Sequence, residues 1–254
     1  GCLIQADVCL FIVEGIIHRL GIAFDKHFPQ LIFPEKRRDV STLDLVVEFP
    51  VVGVYYHGIL SHPYPVQVFV FQQHTNGIAK KLGRIRPNHR HRFYFVKPDG
   101  SYHFYNKKHL FTYSGEDKVY TAGNERVIVE FKGIRILLQV CFDARFPVFS
   151  RNKRDYDVVL YVANWPETRI LAWETLTRAR AIENQAYVFA LNRIGTDGNQ
   201  LNYVESSHCF FADGTDVSTK KNDLVLAELD LNKLKDFRKS FPFLEDADEF
   251  ILRD

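Results

Sequence analysis

Ile134-Arg135-Ile136-Leu137-Leu138-Gln139-Val140-Cys141-Phe142-Asp143-Ala144-Arg145-Phe146-Pro147 is the stretch on which the reading of this chain turns. An apolar run leads straight into a cysteine, and Asp143-Ala144-Arg145 then turns the chain. A buried strand is stiff, so a thiol at its tip is held still while the turn exposes it. Taken alone, the same cysteine reads as a small core hydrophobe, a common fate for an unpaired thiol. The neighbouring segments decide between the two.

Just upstream, Val127 to Phe131 is a second apolar segment, and Lys132-Gly133 joins it to the first as a β-hairpin. Phe93 to Val96 and Tyr102 to Tyr105 form another hairpin around Pro98-Asp99-Gly100. Downstream, Val158 to Val162 is a fully apolar strand. Thr168 to Asn184 reads as a helix, with Leu171, Thr175, Leu176, Ala179 and Ile182 turned inward. Tyr187 to Leu191, His208 to Phe211 and Leu224 to Leu229 are further strands, the last two flanking a turn at Asp213-Gly214.

The first third is less regular. Cys2 to Ala6 is a short strand, Val8 to Phe28 has helical spacing and is stopped by Pro29, and Gln30 to Phe33 is a second strand. That unit implies parallel strands with a right-handed crossover. Leu43 to Tyr56 is strand-like, broken by Pro50 and Gly53. From Ser61 to His91, Pro and Gly punctuate the chain and no order emerges. The basic run Lys80 to Arg92 reads as a solvated surface. The whole is α/β, a sandwich of two or four layers. No glycine-rich phosphate loop follows the first strand, which argues against a dinucleotide-binding fold. With no repeat and no linker in view, residues 1–254 are expected to form a single domain.

Composition narrows the function classes. Hydrophobic residues make up 46% and charged residues 25%, enough to bury a large core. A net charge of +2 gives no reason to expect a nucleic-acid or anionic-membrane partner. The four cysteines, Cys2, Cys9, Cys141 and Cys209, contain no CxxC pair, so no metal site is expected. The apolar segment Val8 to Ile17 carries Glu14 and is too short to span a bilayer. A reducing cytoplasm is the expected location.

Three segments end in functional groups at strand tips: Phe33-Pro34-Glu35, Tyr105-Asn106-Lys107 and Val140-Cys141-Phe142. A carboxylate, an ammonium and a thiol form a coherent set. The carboxylate can take the thiol proton, because the thiolate is the nucleophile. The ammonium and a backbone N–H after the cysteine can hold an oxyanion.

From about Arg92 to Phe250 the chain resembles the nitrilase superfamily of carbon–nitrogen hydrolases, and within it the ω-amidase-like branch. The resemblance rests on Tyr105-Asn106-Lys107-Lys108-His109-Leu110-Phe111, Gly115-Glu116 with Tyr120-Thr121-Ala122-Gly123, and Gln139 to Pro147. It continues through Ala163-Asn164-Trp165-Pro166, Arg178 to Gln185, and Asn192 to Asn199, in family order and near family spacing. It implies a four-layer α-β-β-α sandwich with mixed sheets and a catalytic triad of Glu35, Lys107 and Cys141. By the same resemblance Glu116 sits near the lysine, Phe142 supplies the backbone N–H of an oxyanion hole, and Asn164, Trp165 and Pro166 line the pocket mouth. Asp143, Arg145, Arg178, Arg180, Glu183 and Asn184 are expected to be structural. Glu48 is the rival for the base; Glu35 is preferred because it follows Phe-Pro at a strand end.

The activity implied is hydrolysis of a small linear amide, the ω-amide of a dicarboxylate of the 2-oxoglutaramate type, through a thioester and without a cofactor. Alternatives are an N-carbamoyl amino acid hydrolase of the same superfamily, or a binding member with a disabled base. Lys36-Arg37-Arg38-Asp39, which replaces the aromatic and glycine residues expected after Glu35, motivates the last. A small-molecule substrate and a homodimer paired through helices flanking the nucleophile complete the expectation.

Overall fold

The computed structural model describes the strand segments Cys2–Asp7, Ala23–Phe24, Leu31–Ile32, Gly53–His57 and Phe69–Gln73, and residues 90–97, 101–221 and 224–251. In chain order the first strands are β1 (Cys2–Asp7), β2 (Ala23–Phe24), β3 (Leu31–Ile32), β4 (Gly53–His57), β5 (Phe69–Gln73), β6 (Arg92–Val96), β7 (Tyr102–Asn106) and β8 (Ile128–Phe131). There follow β9 (Ile134–Val140), the one-turn helix α1 (Pro147–Ser150), β10 (Val158–Ala163), helix α2 (Ile170–Asn184) and β11 (Tyr187–Asn192). The chain continues through β12 (Gly195–Thr196), β13 (Asn202–Tyr203), β14 (His208–Phe210), β15 (Thr219–Lys221), β16 (Leu224–Leu229) and helix α3 (Leu231–Ser240).

The central sheet has the order β14-β11-β10-β9-β8. Its middle strands β9, β10 and β11 run parallel, and the two flanking strands are antiparallel. Strand β8 turns into β9 at Lys132 and Gly133, both with positive φ (51° and 75°). That turn has the twist a tight hairpin needs, and glycine takes the second position without strain.

Strands buried on both faces should read as continuous apolar runs, and β10 and β11 are buried at every residue. Successive side chains still point to opposite faces. Ile136, Leu138, Val140, Val158, Leu160, Val162, Tyr187, Phe189 and Leu191 enter one core. Leu137, Val159, Tyr161, Ala163, Val188 and Ala190 enter the other. The first core is closed by Phe93, Phe95 and Tyr105 of β6–β7 and by Ala227 and Leu229 of β16, so strands of other sheets form a second layer. The second core is closed by Trp173 and Ala181 of α2, which forms the outer helical layer. Helix α3 is capped by the Asp230 carboxylate, which accepts from Asn232 N and Lys233 N at 2.9 and 3.0 Å.

Three expectations are corrected. The strand at residues 30–33 does not run beside β1: β3 pairs antiparallel with β2, and both edges of β1 are taken by β4 and β16, antiparallel to each. Ala23 and Phe24, expected inside a helix, are strand; Gly21 just before them would cost a helix about 1 kcal/mol. The rest of that expected helix lies outside the described residues. Strand β5 lies in the stretch whose order the sequence left open, so it corrects nothing; it pairs with β6.

The third correction concerns α2. Its extent matches the sequence, but its inward face does not. Leu171 is 75% exposed and Ile182 43%, whereas Trp173, Thr177, Arg180, Ala181 and Asn184 are buried. The inward polar groups are bonded. Thr177 Oγ1 donates to Trp173 O (2.8 Å), Arg180 reaches Ala144 O (3.0 Å), and Asn184 Oδ1 accepts from Asn152 N (2.8 Å). Satisfied polar groups can be buried at little net cost, so this helix is oriented by its hydrogen bonds.

Candidate active site

Cys141 follows β9 directly and opens a 3₁₀ turn, Cys141–Arg145. Its φ is 46°, in the left-handed region that a side-chain-bearing residue seldom enters. Such strain persists only where the surroundings enforce it. Here Asp143, fully buried, does so. Its carboxylate accepts from Val140 N (2.9 Å), Tyr105 OH (2.9 Å) and His109 N (3.0 Å), and His109 Nδ1 lies at 2.8 Å. Tyr105 is the buried residue of β7 and His109 stands just beyond that strand, so one carboxylate pins the nucleophile turn to the segment that carries Lys107. Arg180 of α2 holds the same turn from below, donating to Ala144 O through Nε and Nη2 (3.1 and 3.0 Å).

Lys107 is 1% exposed. Its backbone N donates to His91 O and its carbonyl accepts from Gly123 N, both at 2.8 Å. A Cβ at position 123 would run into the Asn106 backbone, so only glycine allows this approach. The Lys107 ammonium donates to both Glu116 oxygens, at 3.0 and 2.7 Å. Glu116 Oε2 also accepts from Phe111 N (2.9 Å), and His91 Nδ1 lies 3.9 Å from Oε1. Burial alone would raise the Glu116 pKa; the His91 ring beside it and the Lys107 ammonium outweigh that and hold the carboxyl well below the ordinary range. Glu116 thus holds the Lys107 ammonium in place.

The Cys141 thiol responds in the opposite sense. Burial pushes it up, the Lys107 ammonium counteracts this in part, and the Glu116 charge adds to the rise. Its Sγ lies 3.9 Å from Asn164 O. Burial thus works against the thiolate, the nucleophilic form of a cysteine. Glu35 and Glu48, the two expected candidates for the base, both lie outside the described residues.

Cys141 opens onto a cavity of about 360 Å³. Phe142, Asn164, Trp165 and Pro166 line it, and so do Phe111, Tyr113, Arg145 and Arg169. Asn192, at the tip of β11, clamps Trp165 from both sides: its Oδ1 accepts from Trp165 N (2.7 Å) and its Nδ2 donates to Trp165 O (2.8 Å). Arg145, expected to hold the turn, is instead exposed with its guanidinium 4.9 Å over the Trp165 ring, and Asp143 and Arg180 hold the turn. Arg178 donates to Gly214 O, Arg180 pairs with Glu183 at 2.6 Å, and Asn184 Nδ2 donates to Arg180 O, all structural. The pocket roles of Arg169, Phe111 and Tyr113 were not drawn from the sequence, since an arginine after Glu167-Thr168 and an aromatic pair after His109-Leu110 carry no local signal. No group of three metal-ligating side chains lies together among the described residues.

A strand-tip cysteine in a strained turn, tied through Asp143 to the segment that carries a buried Lys–Glu pair, fits the carbon–nitrogen hydrolase resemblance of the sequence. Residues 83–239 match that family, and the chain belongs to it. Within the family the chain is similar to the ω-amidase YafV of Escherichia coli strain K12, with 51% identity over 164 residues, 63% of this chain and 64% of that protein. It is 39% identical over 154 residues to the 2-oxoglutaramate amidase of Paenarthrobacter nicotinovorans, covering 56% of this chain and 51% of that one. A solved CN-hydrolase superfamily protein of Xanthomonas campestris, which carries an arsenic adduct in its active site, superposes with a TM-score of 0.62 and 41% identity over 67% of this chain and 68% of that one. The match thus spans less than two thirds of the length of these curated relatives. The fold is the α-β-β-α sandwich of that superfamily, with one helical layer and both sheet layers in the described residues.

Proposed function

We propose that this protein is a cysteine-dependent amidase that cleaves the ω-amide of a small dicarboxylate, of the 2-oxoglutaramate type, and releases ammonia. The observation that carries the reading is the placement of Cys141: at a strained strand tip, open to the cavity, and within the field of the buried Lys107 ammonium. Similarity to an ω-amidase and to a 2-oxoglutaramate amidase supports the substrate class.

In this mechanism Cys141 Sγ attacks the amide carbon while its proton passes to Glu35. Lys107 Nζ and the Phe142 backbone N–H hold the oxyanion. The tetrahedral species collapses as Glu35 returns the proton to the leaving nitrogen, giving ammonia and an acyl thioester. Water, deprotonated by Glu35, then attacks the thioester, and the carboxylate product leaves as the Cys141 thiol is restored. Glu116 fixes Lys107, and Asn164 and Trp165 shape the pocket. The working unit is a single carbon–nitrogen hydrolase domain, paired as a homodimer through the outward face of α2, where Leu171 stands 75% exposed. A cytoplasmic setting suits the unpaired Cys141 and Cys209. Among the described residues no helix is long and apolar enough to cross a membrane.

The test is ammonia release from a panel of small amides by wild type, Cys141→Ala and Glu35→Gln. Turnover of an ω-amide by wild type, with both variants inactive, is the expected result. Undiminished turnover by Cys141→Ala would sink the mechanism.

A further inference from the structure

His91 stands inside the Lys107 network and takes no part in the bond-making steps of the proposed mechanism. It is buried, at 1% exposure. Strands β6 and β7 pair Arg92 with Asn106, and one step further His91 stands opposite Lys107. There the His91 carbonyl accepts from Lys107 N at 2.8 Å. Opposed residues of an antiparallel pair send their side chains to the same face, so the imidazole and the ammonium start side by side and both approach Glu116.

The two Glu116 oxygens are served unequally. Oε2 accepts the shorter Lys107 bond (2.7 Å) and the Phe111 N bond (2.9 Å). Oε1 accepts the longer Lys107 bond (3.0 Å), and His91 Nδ1 faces it at 3.9 Å. That distance is outside a direct hydrogen bond, and a shift of about 1 Å would bring it within one. The ring lies against Tyr120, with centroids 5.5 Å apart, and Tyr120 N donates to Glu116 O at 2.8 Å. The turn that carries Glu116 therefore also seats the ring.

Charge explains why this side chain suits the place. Burial and the Lys107 ammonium favour the neutral ring, against the pull of the Glu116 and Asp143 carboxylates. A second cation here would compete with Lys107 for Glu116. A neutral imidazole offers an N–H without repelling the ammonium. An apolar residue would offer nothing to a carboxylate whose side chain is only 17% exposed, and a poorly served buried charge is costly.

We propose that His91 is a positioning residue for amide hydrolysis that acts through Glu116: its neutral ring, with the proton on Nδ1, takes over Oε1 as Lys107 Nζ moves toward the oxyanion, and so keeps the carboxylate in place. The role in turnover rests on the amidase reading; the link between His91 and Glu116 does not.

The test sets His91→Phe against His91→Asn. Phe keeps a ring against Tyr120 but has no N–H. Asn gives up the ring but places an amide N–H near the position of Nδ1. A residue that only fills space is replaced better by Phe, and a positioning residue better by Asn. With succinamate, the monoamide of a small dicarboxylate, His91→Phe is expected to lower kcat about 10- to 30-fold with KM changed by less than about twofold, as for a loss felt in the transition state. His91→Asn is expected to keep about a third or more of wild-type kcat. Melting temperatures of His91→Phe, Glu116→Gln and the double variant are measured alongside, and the double variant is expected to lose less than the sum of the two single losses. If wild type hydrolyses succinamate and His91→Phe keeps kcat within about twofold, or falls no further than His91→Asn, the positioning role is overturned and the amidase reading stands. If wild type hydrolyses no amide, the amidase reading fails and takes the role in turnover with it, while coupled melting losses still support the link between His91 and Glu116. Additive melting losses overturn that link in either case.

Discussion

The floor of this site, the buried network behind Cys141 and Lys107, and the rim of its pocket are built on opposite principles. At the floor, the ionised groups are answered by the protein itself: Lys107 by Glu116, and Asp143 by Val140 N, Tyr105 OH and His109 N. At the rim, Arg145 and Arg169 have only ring faces within the described residues. Burying a charge is costly unless it is paired, so the floor has to be a closed network. A charge half in water carries little such penalty and can be left open for a ligand. In the proposed mechanism the floor positions the reacting atoms, and the exposed rim is open to substrate. Changes at the floor should therefore damage stability or rate for every substrate, whereas changes at the rim should alter preference.

The largest effect is expected from Lys107→Met. It removes the ammonium proposed to hold the oxyanion and leaves Glu116 without its cation, so kcat for any amide should fall by roughly 10²- to 10³-fold. A variant that lost only succinamate turnover would place Lys107 with the rim and break the comparison. Asp143→Asn comes next. The buried carboxylate that ties β9 to β7 loses its charge and part of its acceptor capacity, which should cost about 2–4 kcal/mol. For a chain of this size that is a fall in Tm of roughly 5–15 °C, readable by calorimetry, with activity falling on all substrates alike.

Glu116 gives a pH-dependent version of the same test. Its pKa is lowered in the folded protein, so the folded state favours the ionised form. The stability this contributes is present above the ordinary carboxylate pKa of about 4.3 and is lost as pH falls toward the lowered value. Glu116→Gln should therefore narrow the gap in Tm between about pH 7 and pH 3.5 relative to wild type. An unchanged gap would mean the Lys107–Glu116 pair adds nothing to folding.

The smallest effects separate the two faces of α2. Asn184→Ala, on the inward face, breaks bonds to Asn152 N and Arg180 O and should cost about 1–3 kcal/mol. Leu171→Ser, on the outward face, should change monomer stability by less than about 0.5 kcal/mol. A shift toward monomer in sedimentation would mark that face as the proposed pairing surface, and an unchanged dimer would remove it from that role.

These contrasts also explain what the sequence could tell. The strands β9, β10 and β11 and the Lys132-Gly133 hairpin were legible because their side chains are apolar on both faces and the turn chemistry is local. Cys141, Lys107 and Glu116 were legible as motif positions, and Glu116 does lie against the lysine. The inward face of α2 was not, because Arg180 and Asn184 turn inward to bond distant backbone, a feature that hydrophobic spacing does not carry. Arg145 was misread for a related reason. An Asp and an Arg two residues apart in a turn suggest a mutual structural role, yet Asp143 spends its acceptors on three other segments and leaves Arg145 to the pocket. Arg169 becomes visible only once α2 is folded against the nucleophile turn.

The central claim is that Cys141 forms a covalent acyl intermediate. The most direct test is to quench wild-type enzyme in acid during turnover of succinamate and map the adduct by peptide mass spectrometry. The account predicts a succinyl thioester on the peptide that carries Cys141, absent from Cys141→Ala. Steady release of ammonia with no acyl adduct on Cys141, and with Cys141→Ala still active, would contradict it.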